Sequence, residues 1–128
     1  MFLEHVNLTV SDLDRSIDFY CRLLGLRLRW RREAGEQAAA AHVGDDRQYL
    51  ALFEAAAGSH RPTLDYDAVG LNHFGFVVDD LDAARERLAA LGISPHGEAD
   101  YEPGRRLYFL DPDGIEVVLV EYAEALSA

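Results

Sequence analysis

"LEHVNLTVSDLD" (residues 3–14) returns as "LNHFGFVVDDLD" (residues 71–82), 68 positions later, with a histidine third in each copy. Leu3/Leu71, His5/His73, Val10/Val78, Asp12/Asp80, Leu13/Leu81 and Asp14/Asp82 are identical pairs. Leu24-Gly25 and Leu91-Gly92 close the following segments one residue short of the same register. A match this long, with strand-like and helix-like residues in the same order, marks an internal repeat.

Within the first copy, Val6, Leu8 and Val10 alternate with His5, Asn7 and Thr9, the period of a strand with one apolar and one polar face. Ser11 or Asp12 is placed to cap a helix, and Ile17, Tyr20, Cys21 and Leu24 recur at helical spacing as its apolar stripe. Gly25 stands where a left-handed C-cap is wanted. Alternation resumes over 26–32 and 38–43, Gly44-Asp45-Asp46 turns the chain, and 49–54 is a further strand. The second copy repeats the order: a strand over 71–78, a helix over about 81–91, a weaker strand near 96–101, "RRLYFL" (105–110), the turn "DPDG" (111–114) and "IEVVLVEY" (115–122).

Each half therefore reads as βαβββ. A half cannot cover its own sheet on both faces. The expected fold is α+β: two tandem βαβββ modules forming a cupped mixed β-sheet around a cavity. The modules are 1–54 and 71–122, with a connector over 55–70, a tail over 123–128 and a single domain over 1–128. The connector lacks a period and carries Gly58 and Pro62.

Composition narrows the function. With 49% hydrophobic and 27% charged residues, and no apolar run near the roughly 18 residues a membrane span needs, the chain reads as soluble, with no membrane partner. Its single cysteine, Cys21, forms no internal disulfide, which points to the cytoplasm; on the helical stripe it reads as a buried, inert thiol. A net charge of −11 excludes nucleic acid, which demands a basic footprint. Arg27, Arg29, Arg31 and Arg32 are the local exception, read as an exposed strand face with an anion site as the alternative.

His5 and His73 lie opposite the large aliphatic residues of their strands, on the side away from the helix. That spot suits a metal ligand, or a polar residue lining a wet cleft. Tyr49, Ala51 and Phe53 share one parity; Arg106, Tyr108, Glu116 and Val118 share another. Arg106 with Tyr108 could hold an anionic or oxygen-rich ligand. His42 either borders the cleft or is exposed, while His60 and His96 fall in loop-like surroundings and receive no role. "DPDG" is read as a turn only.

"HVNLTVSDLDRSIDFYCRLLGLRL" (5–28) and "YFLDPDGIEVVLVEY" (108–122), in paired βαβββ modules, resemble the vicinal oxygen chelate superfamily. That group includes glyoxalase I, fosfomycin-resistance thiol transferases, bleomycin-resistance binding proteins and extradiol dioxygenases. The resemblance covers essentially the whole chain and is a strong mark of fold but a weak mark of reaction. It implies a homodimer, and metal ligands on the first and last strand of each module. The first-strand positions are His5 and His73; the last-strand positions fall on Ala51 and Val118, which bind no metal. Glu116 has the parity of Val118, so His5, His73 and Glu116 are the tentative set for Zn, Ni, Mn or Fe. Glu54 and Glu121 have the opposite parity and would need a β-bulge to turn inward. The resemblance also places Tyr108 where fosfomycin-resistance relatives have a substrate-contacting tyrosine.

Two readings follow. The first is a small-molecule-binding protein with a degenerate metal site, taking a partly apolar organic ligand among His5, Asn7, Tyr49, Ala51, Phe53, His73, Arg106, Tyr108 and Val118. The alternative is a metal-dependent glyoxalase, dioxygenase or thiol-transferase-type enzyme using His5, His73 and a displaced carboxylate. Catalytic residues are left unassigned.

Overall fold

In each half of the chain, the first strand pairs in parallel with the last, and a helix packs on one side of that pair. The computed structural model describes residues 1–101 and 104–123. Two compact units divide after His60. The first contains β1 (His5–Val10), α1 (Leu13–Leu24), β2 (Arg27–Arg32), β3 (Ala40–Gly44) and β4 (Tyr49–Glu54). The second contains β5 (His73–Val77), α2 (Leu81–Ala90), β6 (Gly97–Tyr101), β7 (Gly104–Leu110) and β8 (Glu116–Tyr122). Their sheets run β1-β4-β3-β2 and β5-β8-β7-β6, each with one parallel pair and two antiparallel ones. The expected pair of βαβββ modules with mixed sheets is what the chain forms. The strand expected from residue 71 starts at His73, and the one expected over 38–43 runs from Ala40 to Gly44.

Parity sorts the first sheet as expected. Leu8, Val10, Ala41, Val43, Leu50 and Leu52 are buried on the helix side. Against them α1 buries Leu13, Ser16, Phe19, Tyr20 and Leu23. The stripe expected from Ile17, Tyr20, Cys21 and Leu24 is therefore rotated: Tyr20 is central, while Ile17, Cys21 and Leu24 form a half-exposed shoulder. Apolar residues occupy both flanks of α1, so spacing alone did not select the flank; the two large rings at 19 and 20 take the interior. Cys21 is thus half-buried rather than fully buried. Burial, then the charge of Asp18, pushes its thiol up, which keeps it protonated and unreactive. In the second unit Leu81, Ala84 and Leu88 are the buried side of α2, which packs on β7 and β8 with Leu107, Phe109, Val117 and Leu119 beneath.

Both helices start in the same way. The Asp12 carboxylate accepts from Arg15 N at 3.1 Å, and that of Asp80 from Ala83 N at 3.0 Å. A second acid reaches each N-terminus from the neighbouring strand end: Glu54 Oε2 accepts from Leu13 N at 2.9 Å, and Glu121 Oε2 from Leu81 N at 2.6 Å. Helix amides without an intrahelical acceptor, at the positive end of the dipole, are thereby satisfied by charge. Gly25, at φ 67°, closes α1 with its N–H on the Cys21 carbonyl at 2.9 Å.

Replacing Glu54 or Glu121 by alanine removes a charge-assisted bond to a part-buried amide. Each variant is expected to lose about 1–2 kcal/mol of stability in urea unfolding, more than glutamine replacement does.

Candidate functional site

The parallel register of β5 and β8 sets His73 beside Glu116 and Gly75 beside Val118, on the face turned away from α2. Glu116 is only 2% exposed. A buried carboxylate demands partners, and three converge on it. Tyr66 donates its hydroxyl to Oε1, His96 Nε2 lies 2.6 Å from Oε2, and His73 Nδ1 lies 3.2 Å from Oε1. Tyr66 O also lies 3.1 Å from His73 Nδ1. A phenol has one proton, and here it points at Glu116, so toward His73 the phenol oxygen accepts. That count puts the His73 proton on Nδ1 and leaves a lone pair on Nε2 in the neutral ring. By the same logic His96 carries its proton on Nε2.

Aromatic rings pack around the network. Tyr66 stacks on His73 at 5.9 Å, and Tyr108 meets His73 edge-on at 6.1 Å and His96 at 6.5 Å. The hydrogen bond to Glu116, then desolvation, then the Glu116 charge push the Tyr66 phenol up to about 12. His96 is anchored by its own N–H on the Tyr108 carbonyl at 2.9 Å, and it borders an open pocket of about 360 Å³ with Arg61, Pro62, Leu64 and Leu110. Arg106 lies on the Tyr108 face of β7, paired in register with Val120.

Two members of this cluster were not expected. His96 had been given no role, yet it is a direct partner of Glu116. It sits one residue ahead of β6, where no alternation is available to orient it. Tyr66 lies in the aperiodic connector, where sequence gives no parity at all.

In the first unit, His5, Asn7 and Thr9 stand opposite Tyr49, Ala51 and Phe53, one face as expected. His5 is oriented by Glu4, whose Oε1 is 2.9 Å from Nδ1, and stacks on Tyr49 at 4.9 Å. His42 is half-buried on this face, stacked on Tyr49 at 4.4 Å. Burial first, then Arg29 and His5, hold its imidazole below the usual range, so it is neutral. Ala51, at 7% exposure, and Val118, at 3%, are buried apolar residues in their sheets.

The arginines do not form one exposed strand face. The register of β2 against β3 shifts between Leu28 and Trp30, a bulge that makes Arg29 the extra residue. Arg27 pairs with Asp46, and Arg31 with Asp14 at 2.6 Å and Glu33 at 2.8 Å. Arg29 instead lies over the Tyr49 ring at 4.8 Å, and Arg32 over Trp30 at 5.7 Å.

The sequence model of the Glyoxalase/Bleomycin resistance protein/Dioxygenase superfamily matches residues 2–119. This chain belongs to that superfamily. It is 33% identical over 119 residues to glutathione transferase FosA of Serratia marcescens, covering 91% of this chain and 78% of that one. It is 33% identical over 125 residues to the uncharacterised protein YaeR of Escherichia coli, covering 93% and 95%. Among solved structures, a glyoxylase/bleomycin resistance protein/dioxygenase domain from Frankia sp. superposes with a TM-score of 0.79 at 28% identity, over 98% of this chain and 95% of that one.

The acids that the sequence offers as metal ligands all have partners within their own units. Glu54 and Glu121 face the helices and are taken up by Leu13 N and Leu81 N, so no bulge turns them inward. Glu116 already accepts hydrogen bonds from Tyr66 and His96, with His73 Nδ1 3.2 Å from it. Among the described residues no group of three or more His, Cys, Asp or Glu side chains is placed to hold a metal ion.

The Tyr66 network has a spectroscopic signature. In ultraviolet difference titration, Glu116→Gln is expected to bring one tyrosine ionisation down from about 12 toward the ordinary 10, since the phenolate no longer forms beside an anion. An unchanged profile above pH 11 would count against the Tyr66–Glu116 bond.

Proposed function

We propose that this superfamily member binds a small, partly apolar organic molecule and that its metal site is degenerate. The observation that carries this reading is the disposition of the carboxylates. Every acid that sequence offered as a replacement ligand is taken up by an internal hydrogen bond. What faces the open side of each sheet is instead aromatic rings, histidines and small apolar residues, the usual lining of an organic-ligand site. The ligand-contacting residues in this reading are His5, Asn7, Tyr49, Ala51 and Phe53 in the first unit and His73, Arg106, Tyr108 and Val118 in the second. A homodimer and a cytoplasmic setting belong to the same reading; they rest on the family resemblance and on the lone cysteine. No helix among the described residues is long and apolar enough to cross a membrane.

One observation favours an enzyme instead. Relatives at 31% and 32% identity are named lactoylglutathione lyase and catechol-2,3-dioxygenase, and the donor count leaves His73 Nε2 with a lone pair. In that reading His5, His73 and Glu116 rebuild a metal site.

Metal analysis of untagged protein grown with Zn, Ni, Mn and Fe separates the two. The binder is expected to hold well under one metal per chain in every condition, and His73→Ala should change ligand affinity only modestly. Near-stoichiometric metal that disappears in His5→Ala and His73→Ala would establish the enzyme reading.

A further inference from the structure

A row of four aromatic rings, one from each strand, crosses the open face of the first unit. In sheet order these are His5 on β1, Tyr49 on β4, His42 on β3 and Trp30 on β2. Successive centroids lie 4.9, 4.4 and 4.9 Å apart, with interplanar angles of 11°, 29° and 48°. Gly44 makes the middle of this row possible. It sits opposite Tyr49, where a Cβ would lie 2.1 Å from the Gln48 carbonyl and 2.6 Å from Tyr49 Cβ. The tyrosine ring is thus free to lie against His42 on the same strand. Ala40 and Ala51, both buried, lie next to the row, and Phe53, 37% exposed, stands beside Ala40 in register.

Several arginines of the chain are ion-paired, and two on this face are not, among the described residues. Arg22, Arg27, Arg31, Arg85 and Arg105 each face an aspartate or glutamate. Arg29 and Arg32 do not, among the described residues: Arg29 lies over Tyr49, and Arg32 donates to the Ala38 carbonyl at 3.0 and 3.1 Å while lying over Trp30 and Phe53. On a chain of net charge −11, two guanidiniums left to aromatic rings are a local positive site. Among the described residues, the acid bonded to the row is Glu4, which engages His5 and the Tyr49 hydroxyl. The bulge at Arg29 is what brings two arginines and Trp30 to one face.

We propose that this face binds a planar aromatic carboxylate, its ring laid across the ring edges of the Trp30–His42–Tyr49 row and its carboxylate held by Arg29 and Arg32. The proposal rests on the small-molecule-binding reading and names its ligand class. Tyr49 and His42 have their faces against neighbouring rings, so the row offers ring edges, which meet the face of a ligand ring edge-on, and a guanidinium lying on a ring still presents its edge donors to a carboxylate. A neutral aromatic would forgo those charged bonds, and a saturated, non-planar anion would forgo the edge-to-face ring contacts.

Trp30 is the chain's only tryptophan, so its emission reports on this face alone. Titration with 4-nitrobenzoate, an aromatic quencher, is expected to quench Trp30 saturably. The neutral 4-nitrobenzamide should bind about tenfold more weakly, and cyclohexanecarboxylate should not displace the nitrobenzoate. Arg29→Gln, which breaks no hydrogen bond within the described residues, and Arg32→Gln should each weaken 4-nitrobenzoate about tenfold. Arg22→Gln, at an ion pair on the exposed side of α1, should leave it unchanged. Equal affinity for acid and amide, or an Arg29→Gln variant that binds as wild type, would overturn the proposal. Calorimetric binding of 4-nitrobenzoate without saturable Trp30 quenching would overturn this face while leaving the small-molecule reading standing. Absence of binding by both methods, for this probe and for a broad panel of small organic molecules, would remove both.

Discussion

Everything in each unit depends on the parallel pairing of its first strand with its last. β1 against β4 and β5 against β8 put the module's two ends side by side, and the two-residue period of a strand then divides their side chains between two environments. One set faces the helix. Its last acid, Glu54 or Glu121, lands at the amides that open α1 or α2. The other set faces away and includes His5 with Tyr49 in one unit and His73 with Glu116 in the other. A shift of one residue in that register would exchange the two sets, exposing the core and burying the histidines.

The consequence for chemistry is sharpest at Glu116. Taking an ionised carboxylate out of water costs several kcal/mol unless charge-assisted hydrogen bonds offset it. The second unit supplies two hydrogen-bond donors, Tyr66 of the connector and His96 ahead of β6, and sets the His73 imidazole of β5 3.2 Å away. The network holds these rings in place and fixes which imidazole nitrogens carry protons. The first unit inverts the arrangement, since its two guanidiniums over aromatic rings lack carboxylate partners among the described residues. One sheet therefore encloses its charge, and the other presents it.

Much of this was legible in one dimension because it depends on periodicity. The duplicated phrase gave the paired βαβββ order, and alternation gave the face of His5 with Tyr49, Ala51 and Phe53, the face of Arg106 with Tyr108, and the outward parity of Glu54 and Glu121. Ala51 and Val118 were recognisable as non-ligands by residue type alone. Less was available where periodicity fails. The apolar flank of α1 was placed too far toward Ile17, Cys21 and Leu24, because both flanks of that helix are apolar and only packing selects between them.

The sequence by itself determined the fold, the superfamily and which strand residues share a face, since strand and helix periods and a repeat are properties of residue order. Only the tertiary structure decided the partners of Glu116, because Tyr66, His96 and Glu116 lie 30 and 20 residues apart along the chain and in segments with no shared period. It alone decided that Arg29 and Arg32 leave the acids to Arg27 and Arg31, since a bulge is a mismatch between two strands and neither strand encodes it alone. Side chains that meet through hydrogen bonds and ring contacts obey distance in space, and that distance exists only once the sheet has closed its register.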